Sequence, residues 1–230
     1  MVADVVVLSK DRPDLFAACL AGVEAQGVDV HGILVDNGTD GTTAQLARDA
    51  GWTVLDYGRN TGFSEGNNLA FGHTRTGRVL LLNNDAVLHP GAIYALLGHD
   101  EGIVGTLITG SAGLVAHAGG LLWNGIPKHQ GRHTHPEEWA CHACDWVTFA
   151  AVMIRRDVID DIGPMDEGYW YSFEDVDYCL TAAKAGHSIA VCADARVTHD
   201  EGQTRDNSLD GPNRDRFYTR WPRAARHLVG

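Results

Sequence analysis

The sequence has no long hydrophobic run and no excess of positive charge. Its N-terminal apolar run, Val5-Val6-Val7-Leu8, is only four residues long before Ser9-Lys10-Asp11. That is too short for a signal h-region or a membrane span, so a cytoplasmic protein is expected. Lys and Arg total 18 against 30 Asp and Glu, a formal charge of −12 with a pI near 5.3. This argues against a broad electrostatic grip on nucleic acid or anionic membrane, while leaving room for a local basic patch. Cysteine is sparse: Cys19, Cys141, Cys144, Cys179 and Cys192 are scattered and odd in number, which favours reduced thiols over a disulfide framework. No G-x-G-x-x-G follows the first apolar run, so the dinucleotide fingerprint is missing. No linker stands out either.

What is present suffices for one sizeable core. The 230 residues are 44% hydrophobic, and by these totals one large α/β domain over residues 1–230 is as plausible as two small ones. Val2 to Leu8 reads as a strand, and Asp11-Arg12-Pro13-Asp14 opens a helix with Leu15, Cys19 and Val23 on one face. Gly32 to Asp36 is a second strand ending in an Asn37-Gly38 turn. Thr42 to Ala47 is a helix that Gly51 closes, and Trp52 to Leu55 is a third strand. This β-α-β-α-β order predicts an α/β fold with a parallel sheet.

The stretch Arg78-Val79-Leu80-Leu81-Leu82-Asn83-Asn84-Asp85-Ala86 ends four apolar residues abruptly in two amides and a carboxylate. It reads as a central strand buried on both faces. Ligands of open α/β sheets collect at the carboxyl ends of strands, which would deliver Asp85 to a cleft floor, where a hard oxygen suits Mg²⁺ or Mn²⁺ on a diphosphate. The plainer alternative is a turn that caps a helix beginning near His89-Pro90. Residues 59–68, rich in Gly and Asn, form a loop that opens a helix through Leu69, Ala70 and Phe71. Such a loop aims backbone N–H groups at phosphate oxygens, unless it is an ordinary turn.

The order of these motifs resembles a known family. Strand-loop-Arg-Pro, then Val35-Asp36-Asn37-Gly38, then Arg59-Asn60-Thr61-Gly62-Phe63 with Gly66-Asn67-Asn68, then Leu82-Asn83-Asn84-Asp85-Ala86 look like the nucleotide-sugar half of the inverting family 2 glycosyltransferases, in particular the rhamnosyltransferase-like branch. In the second half, residues 146–156, Ile162-Gly163-Pro164-Met165-Asp166-Glu167, Phe173-Glu174-Asp175-Val176-Asp177 and Ala195-Arg196-Val197-Thr198-His199 agree. The resemblance covers about residues 3 to 202 and rests on several motifs in one order.

It implies a single domain of GT-A type fold with a Rossmann-like, mostly parallel sheet flanked by helices. Residues 1–100 would form the nucleotide-sugar half, 101–205 the acceptor and catalytic half, and 206–230 a tail. By this resemblance Ser9, Arg12, Asp36, Asn60, Gly62, Asn67, Asn68, Asn83 and Asn84 line the nucleotide sugar, and Asp85 and His199 hold Mn²⁺ or Mg²⁺. Asn83 stands where the first Asp of the family's D-x-D often sits, which removes a charge and implies modest metal affinity. Asp175 would be the general base, with Glu174 orienting the acceptor or structural. One base without a separate nucleophile implies inversion at the anomeric carbon. Read without the resemblance, Ser172 and Asp175 have capping-box spacing at a helix start whose apolar face is Val176, Cys179, Leu180 and Ala183, ended by Gly186. Relatives usually carry Gly before Ala where this chain has Phe149-Ala150, a ring expected to narrow or reshape the sugar pocket.

Two segments fall outside that scheme. His129, His133, His135, Cys141, His142 and Cys144 form a Cys/His-rich stretch whose spacing does not match the usual zinc patterns; a mobile polar loop is preferred. Arg214, Arg216, Arg220, Arg223 and Arg226 interleave with Phe217, Tyr218 and Trp221. This tail closes over a diphosphate, contacts an anionic acceptor, or forms a solvated helix packed by its aromatic side. A sugar nucleotidyltransferase and a non-catalytic nucleotide- or carbohydrate-binding module are the rival readings; the former normally needs a Gly-rich basic loop after strand one. The acceptor is left open among glycan, lipid-linked sugar, protein, small molecule and modified base.

Overall fold

Side-chain alternation along the apolar runs decides the architecture. In the computed structural model, which describes residues 1–170, 172–199 and 210–222, the chain runs β1 (Ala3–Ser9), α1 (Pro13–Glu24), β2 (Val30–Asp36), α2 (Thr42–Asp49), β3 (Thr53–Asp56), α3 (Gly62–Phe71), β4 (Arg78–Asn83), β5 (Ala86–Leu88) and α4 (Ala92–Leu97). It continues through β6 (Ile103–Thr109), β7 (Val115–His117), β8 (Gly120–Trp123), β9 (Ile126–His129), β10 (His142–Ala143), β11 (Ala151–Arg155), α5 (Arg156–Ile162), α6 (Glu174–Ala185), β12 (Ile189–His199) and α7 (Asp210–Arg220). Val6, Ile33, Val35, Val79, Leu81, Ile103, Val152 and Ile154 point to one face of the sheet, packed with Phe71, Val158 and Val176. Val5, Val7, Leu34, Leu80, Leu82, Val104 and Met153 point to the other, packed with Phe16, Cys19, Ala47 and Ile93. Both faces are thus covered by helices, as period-two alternation in a doubly buried sheet requires.

The strands lie in the order β10-β12-β6-β11-β4-β1-β2-β3, with β5 added on β12 and β7 on β6. The expected α/β sheet is present, and β1 pairs in parallel with both β2 and β4. Chain order therefore reverses direction across β1 and β4, the kind of switch point at which α/β sheets open a crevice. Purely parallel pairing ends there, because β11 lies antiparallel between β4 and β6.

Several local boundaries differ from the sequence-based ones. In α1 it is Phe16, Cys19 and Val23 that are buried, with Leu15 only half-buried. The helix after residues 59–61 begins at Gly62, so Gly66, Asn67 and Asn68 are helical rather than loop. A Cβ on Gly66 would lie 2.6 Å from Leu8 and 2.7 Å from the Thr61 hydroxyl; the absence of a side chain is what lets α3 lie against β1. Between Asp85 and the helix that follows, the chain first makes β5, and α4 starts only at Ala92. Ile189 to Cys192 and Ala195 to Val197 belong to one long strand, β12, with a register shift between Cys192 and Arg196.

A buried carboxylate ties the N-terminal half together. Asp4, fully buried, accepts from the backbone N–H groups of Arg75 and Thr76 and from the Thr76 hydroxyl, and His31 Nδ1 lies 2.8 Å away. Burial alone would raise its pKa, but the hydrogen bonds from Thr76, His31 and Arg75 together hold it below the ordinary value. Asp4→Ala orphans all of these donors, and a loss of about 3 kcal/mol is expected in urea unfolding. In wild type this contribution is present above the ordinary carboxylate pKa and fades as pH falls through the lowered one.

Candidate active site

The switch point opens into a cleft of about 810 Å³. Its donor-side wall comes from the carboxyl ends of β1 and β4. Parallel pairing sets Leu8 opposite Asn83, and the Asn84 amide donates to Ser9 Oγ at 2.9 Å. Ser9, Arg12, Asn60, Gly62, Asn83, Asn84 and Asp85 all line the cleft, joined by Lys10, Asn37 and Phe63. Lys10 had no sequence signal beyond adjacency to the motifs, and Asn37, inside Val35-Asp36-Asn37-Gly38, was read only as part of a turn. Asn37 fixes the entry to α3, because its Oδ1 accepts from both the N–H and the hydroxyl of Thr61. Asn60 Oδ1 accepts from Gly62 N–H, and Gly62, at φ +70° and close under the Trp170 ring, is a position that favours glycine twice over. Arg12 faces the cleft while pairing with Asp14 through two hydrogen bonds.

Three expected donor-side residues do not line the cleft. Asn67 is buried and donates to the Phe63 carbonyl one turn back. Asn68 clamps residues 165–167, donating to the Met165 carbonyl and accepting from its N–H. Both follow from the early start of α3, which turns these amides away from the cleft. Asp36 sits buried at the end of β2 and accepts from Gly38 N–H; its pKa is raised, chiefly by burial.

Antiparallel pairing of β5 on β12 sets His199 opposite Ala86, which brings His199 Nε2 to 3.0 Å from Asp85 Oδ1. Asn83 Nδ2 is 3.4 Å from the same nitrogen. The Asp85 and His199 side chains are only 8% and 10% exposed. A hard carboxylate, an amide and an imidazole converging at the cleft floor are a donor set that fits Mn²⁺ or Mg²⁺.

Facing this floor is the start of α6. Ser172 and Phe173 both take left-handed backbone conformations, φ 71° and 69°, each costing about 1 kcal/mol for a non-glycine residue. The capping box expected from Ser172 is not made: Phe173 occupies the N-cap position without a side-chain cap. The turn is braced from outside. Asn213 donates to Ser172 Oγ, and the buried ring of Phe217 lies 5.2 Å from that of Phe173. Glu174 and Asp175 are thereby delivered to the cleft. Burial pushes Asp175 up to about 6, against the pull of hydrogen bonds from the N–H of Val176, the Thr148 side chain and the N–H of Phe149.

Thr148 was not singled out by sequence, nor was His117 behind it. The buried His117 accepts from Thr148 N–H through Nε2 and meets His129 through Nδ1 at 2.9 Å; burial holds it well below the usual histidine pKa, in its neutral form. Phe149, expected to narrow or reshape the pocket, lines the cleft while being 1% exposed and packed edge-on against Tyr178. The remaining wall is aromatic and basic, with Pro127, His129, Arg132, Trp146 and Trp170.

The segment through residues 130–144 is not a free loop. Val115 and Ala118 donate to the carbonyls of Thr134 and Gln130, and Trp139 Nε1 donates to Thr134 Oγ1. Its histidines and cysteines do not gather as one ligand set among the described residues: His129 meets His117, His142 bonds the Ala140 carbonyl, and Cys141 faces Cys192. In the tail, Arg216 pairs with Asp166, and Arg220 with Asp166 and Asp177, so these guanidiniums brace α7 rather than wait for an anion. Arg214 is exposed beside Asp215, and Arg223 and Arg226 lie outside the described residues.

An α/β sheet with a cleft at its switch point, a carboxylate–imidazole floor and a facing buried carboxylate define a glycosyltransferase of the GT-A class. Residues 4–221 match the family model described as glycosyltransferase like family 2, and the chain belongs to that family. It is 27% identical over 222 residues to the O-antigen biosynthesis protein RfbC of Myxococcus xanthus, a match over 87% of this chain but only 17% of that protein. Among solved structures, GalNAc-T7 with UDP, GalNAc and Mn²⁺ superposes with a TM-score of 0.69 at 13% identity, covering 97% of this chain and 51% of that one. S. aureus TarS 1-349 superposes with a TM-score of 0.63 at 14% identity, covering 86% and 60%. No helix among the described residues is long and apolar enough to cross a membrane.

Because Phe217 is fully buried behind the strained 172–173 turn, Phe217→Ala is expected to lower stability by about 3 kcal/mol in urea unfolding. It should also release the turn, seen as faster amide hydrogen exchange at Glu174 and Asp175 than in wild type.

Proposed function

We propose that the chain transfers a sugar, with inversion, from a nucleotide-diphosphate sugar to a carbohydrate hydroxyl, using a divalent metal. The observation that carries this reading is that Asp85, His199 and Asp175 line a single cleft, with His199 Nε2 3.0 Å from Asp85 Oδ1. Asp85, His199 and Asn83 would hold the ion, which when bound supplies Lewis-acid stabilisation of the leaving diphosphate. Residues 1–100 grip the donor through Ser9, Lys10, Arg12 and Asn60, which line the cleft. Residues 101–205 supply the acceptor side.

Asp175 takes the acceptor hydroxyl's proton as its oxygen attacks the anomeric carbon from the face opposite the diphosphate, and the single displacement inverts that centre. Thr148 and the N–H of Phe149 orient the carboxylate, and Glu174 borders the acceptor beside it. The exposed ring of Trp170 suits the apolar face of a sugar ring. A polysaccharide acceptor is also in keeping with the name of the RfbC relative, of which this chain spans about a sixth.

The test is calorimetry with a panel of nucleotide diphosphates and nucleotide sugars, with and without Mn²⁺, followed by an acceptor screen. Metal-dependent binding of one nucleotide is expected in wild type and in Asp175→Asn, and its loss in Asp85→Ala. Asp175→Asn should retain donor binding while losing transfer by at least about a hundredfold. Transfer by Asp175→Asn at the wild-type rate overturns the assignment.

The base works only when ionised, so the rate should fall as pH drops through about 6, where Asp175 takes up its proton. Thr148→Val removes a donor to the carboxylate and so raises its pKa further. The acid limb of the rate profile should move up by roughly 0.7 pH unit, the equivalent of one hydrogen bond of about 1 kcal/mol.

A further inference from the structure

At the edge of the sheet opposite β3, a different set of ligands comes together away from the cleft. Pairing of β10 with β12 sets His142 opposite Val191, so the preceding Cys141 falls beside Cys192, with their sulfurs 3.7 Å apart. His99 arrives from the end of α4, which packs on β12. One ligand atom from each of His99, Cys141 and Cys192 lies within 4.8 Å of the others. None of the three residues borders the cleft.

We propose that His99, Cys141 and Cys192 form a zinc site that clamps the edge strand β10 to the sheet. Two Zn–S bonds of about 2.3 Å at a tetrahedral angle hold their sulfurs about 3.8 Å apart, and the observed separation already matches. A disulfide of about 2.0 Å would need the sulfurs to close by about 1.7 Å. Two soft thiolates and an imidazole select zinc over the hard ions suited to Asp85. The Glu101 carboxylate lies 3.0 Å from His99 Nδ1, an arrangement that fixes the ring and leaves Nε2 as the lone pair to offer. Asp194 Oδ2, 3.8 Å from Cys141 Sγ, is placed to supply an oxygen for the fourth position.

Cys141 is exposed while Cys192 is buried, which gives the ion an entry path. Each thiol gives up its proton to bind, so zinc uptake must release protons. The clamp sits behind the acceptor wall. The chain passes from His129 and Arg132 in the cleft to Cys141 and β10, then back to Trp146 and Thr148 in the cleft. Fixing Cys141 therefore fixes the middle of that excursion.

The full chain, produced without a histidine tag, kept reduced and stripped of metal, is titrated with Co²⁺ and then Zn²⁺. The expected result is thiolate-to-cobalt absorption in the near ultraviolet that saturates at one equivalent of Co²⁺, any ion at Asp85 and His199 lacking that band, and is displaced by Zn²⁺ with proton release. Cys141→Ser, at an exposed position that leaves the fold intact by circular dichroism, should lose that absorption, and Asp85→Ala should keep it. His99→Ala should weaken zinc by more than about tenfold. Absence of the thiolate band in wild type, or its survival in Cys141→Ser, overturns the proposal.

Discussion

The cleft depends on the short antiparallel ladder between β5 and β12, which sets Ala86 opposite His199. Asn83 and His199 are 116 residues apart in sequence, and only this register brings them together. A slip of one residue would turn the imidazole to the other face of the strand and leave Asp85 facing no partner there. The ladder rests on the longer parallel pairing of β12 with β6, which rests on β11 and β4. The same sheet that buries the two cores therefore fixes the floor of the site, and errors in its register would be functional before they were structural.

The opposite wall is held by strain rather than by register. Two consecutive left-handed non-glycine residues, Ser172 and Phe173, persist only where surrounding contacts over-determine them. Those contacts come from α7, through Asn213 and Phe217, while Arg216, Arg220 and Trp221 tie α7 to Asp166 and Asp177. The basic, aromatic tail is thus an external brace for the turn that aims Asp175. A carboxylate raised by burial yet hydrogen-bonded by Val176, Thr148 and Phe149 is oriented without being neutralised at neutral pH, a poise useful to a base.

How much of this was legible in sequence follows from the range of the interactions involved. Short continuous apolar runs gave β1, β2 and β4 closely, because both faces of these strands are buried and little else competes. Gly51 and Gly186, both at positive φ, marked the ends of α2 and α6 as left-handed glycines should. The helical state of Asn67 and Asn68 was hidden because Gly and Asn favour turns, and tertiary contacts overrode that propensity: Gly66 lies against Leu8, and Asn68 grips Met165. The motifs located Asp85, His199 and Asp175, but no local pattern encodes that His117 supports Thr148 or that Thr148 reaches Asp175. Such contacts link positions that only the folded sheet makes neighbours.

The strand β12 joins two ligand sets of opposite chemistry. Cys192 lies near its start, among soft donors at the sheet edge, and His199 lies at its end, beside the hard oxygens of the cleft. Between them the register against β6 shifts, from Cys192 opposite Thr106 to Arg196 opposite Leu107. That irregularity separates the part of β12 that pairs with β10 from the part that pairs with β5. An uninterrupted ladder would tie the two outer pairings to one register. With the shift, each end of the strand settles against its own partner, so the edge can be clamped without moving His199 off Asp85.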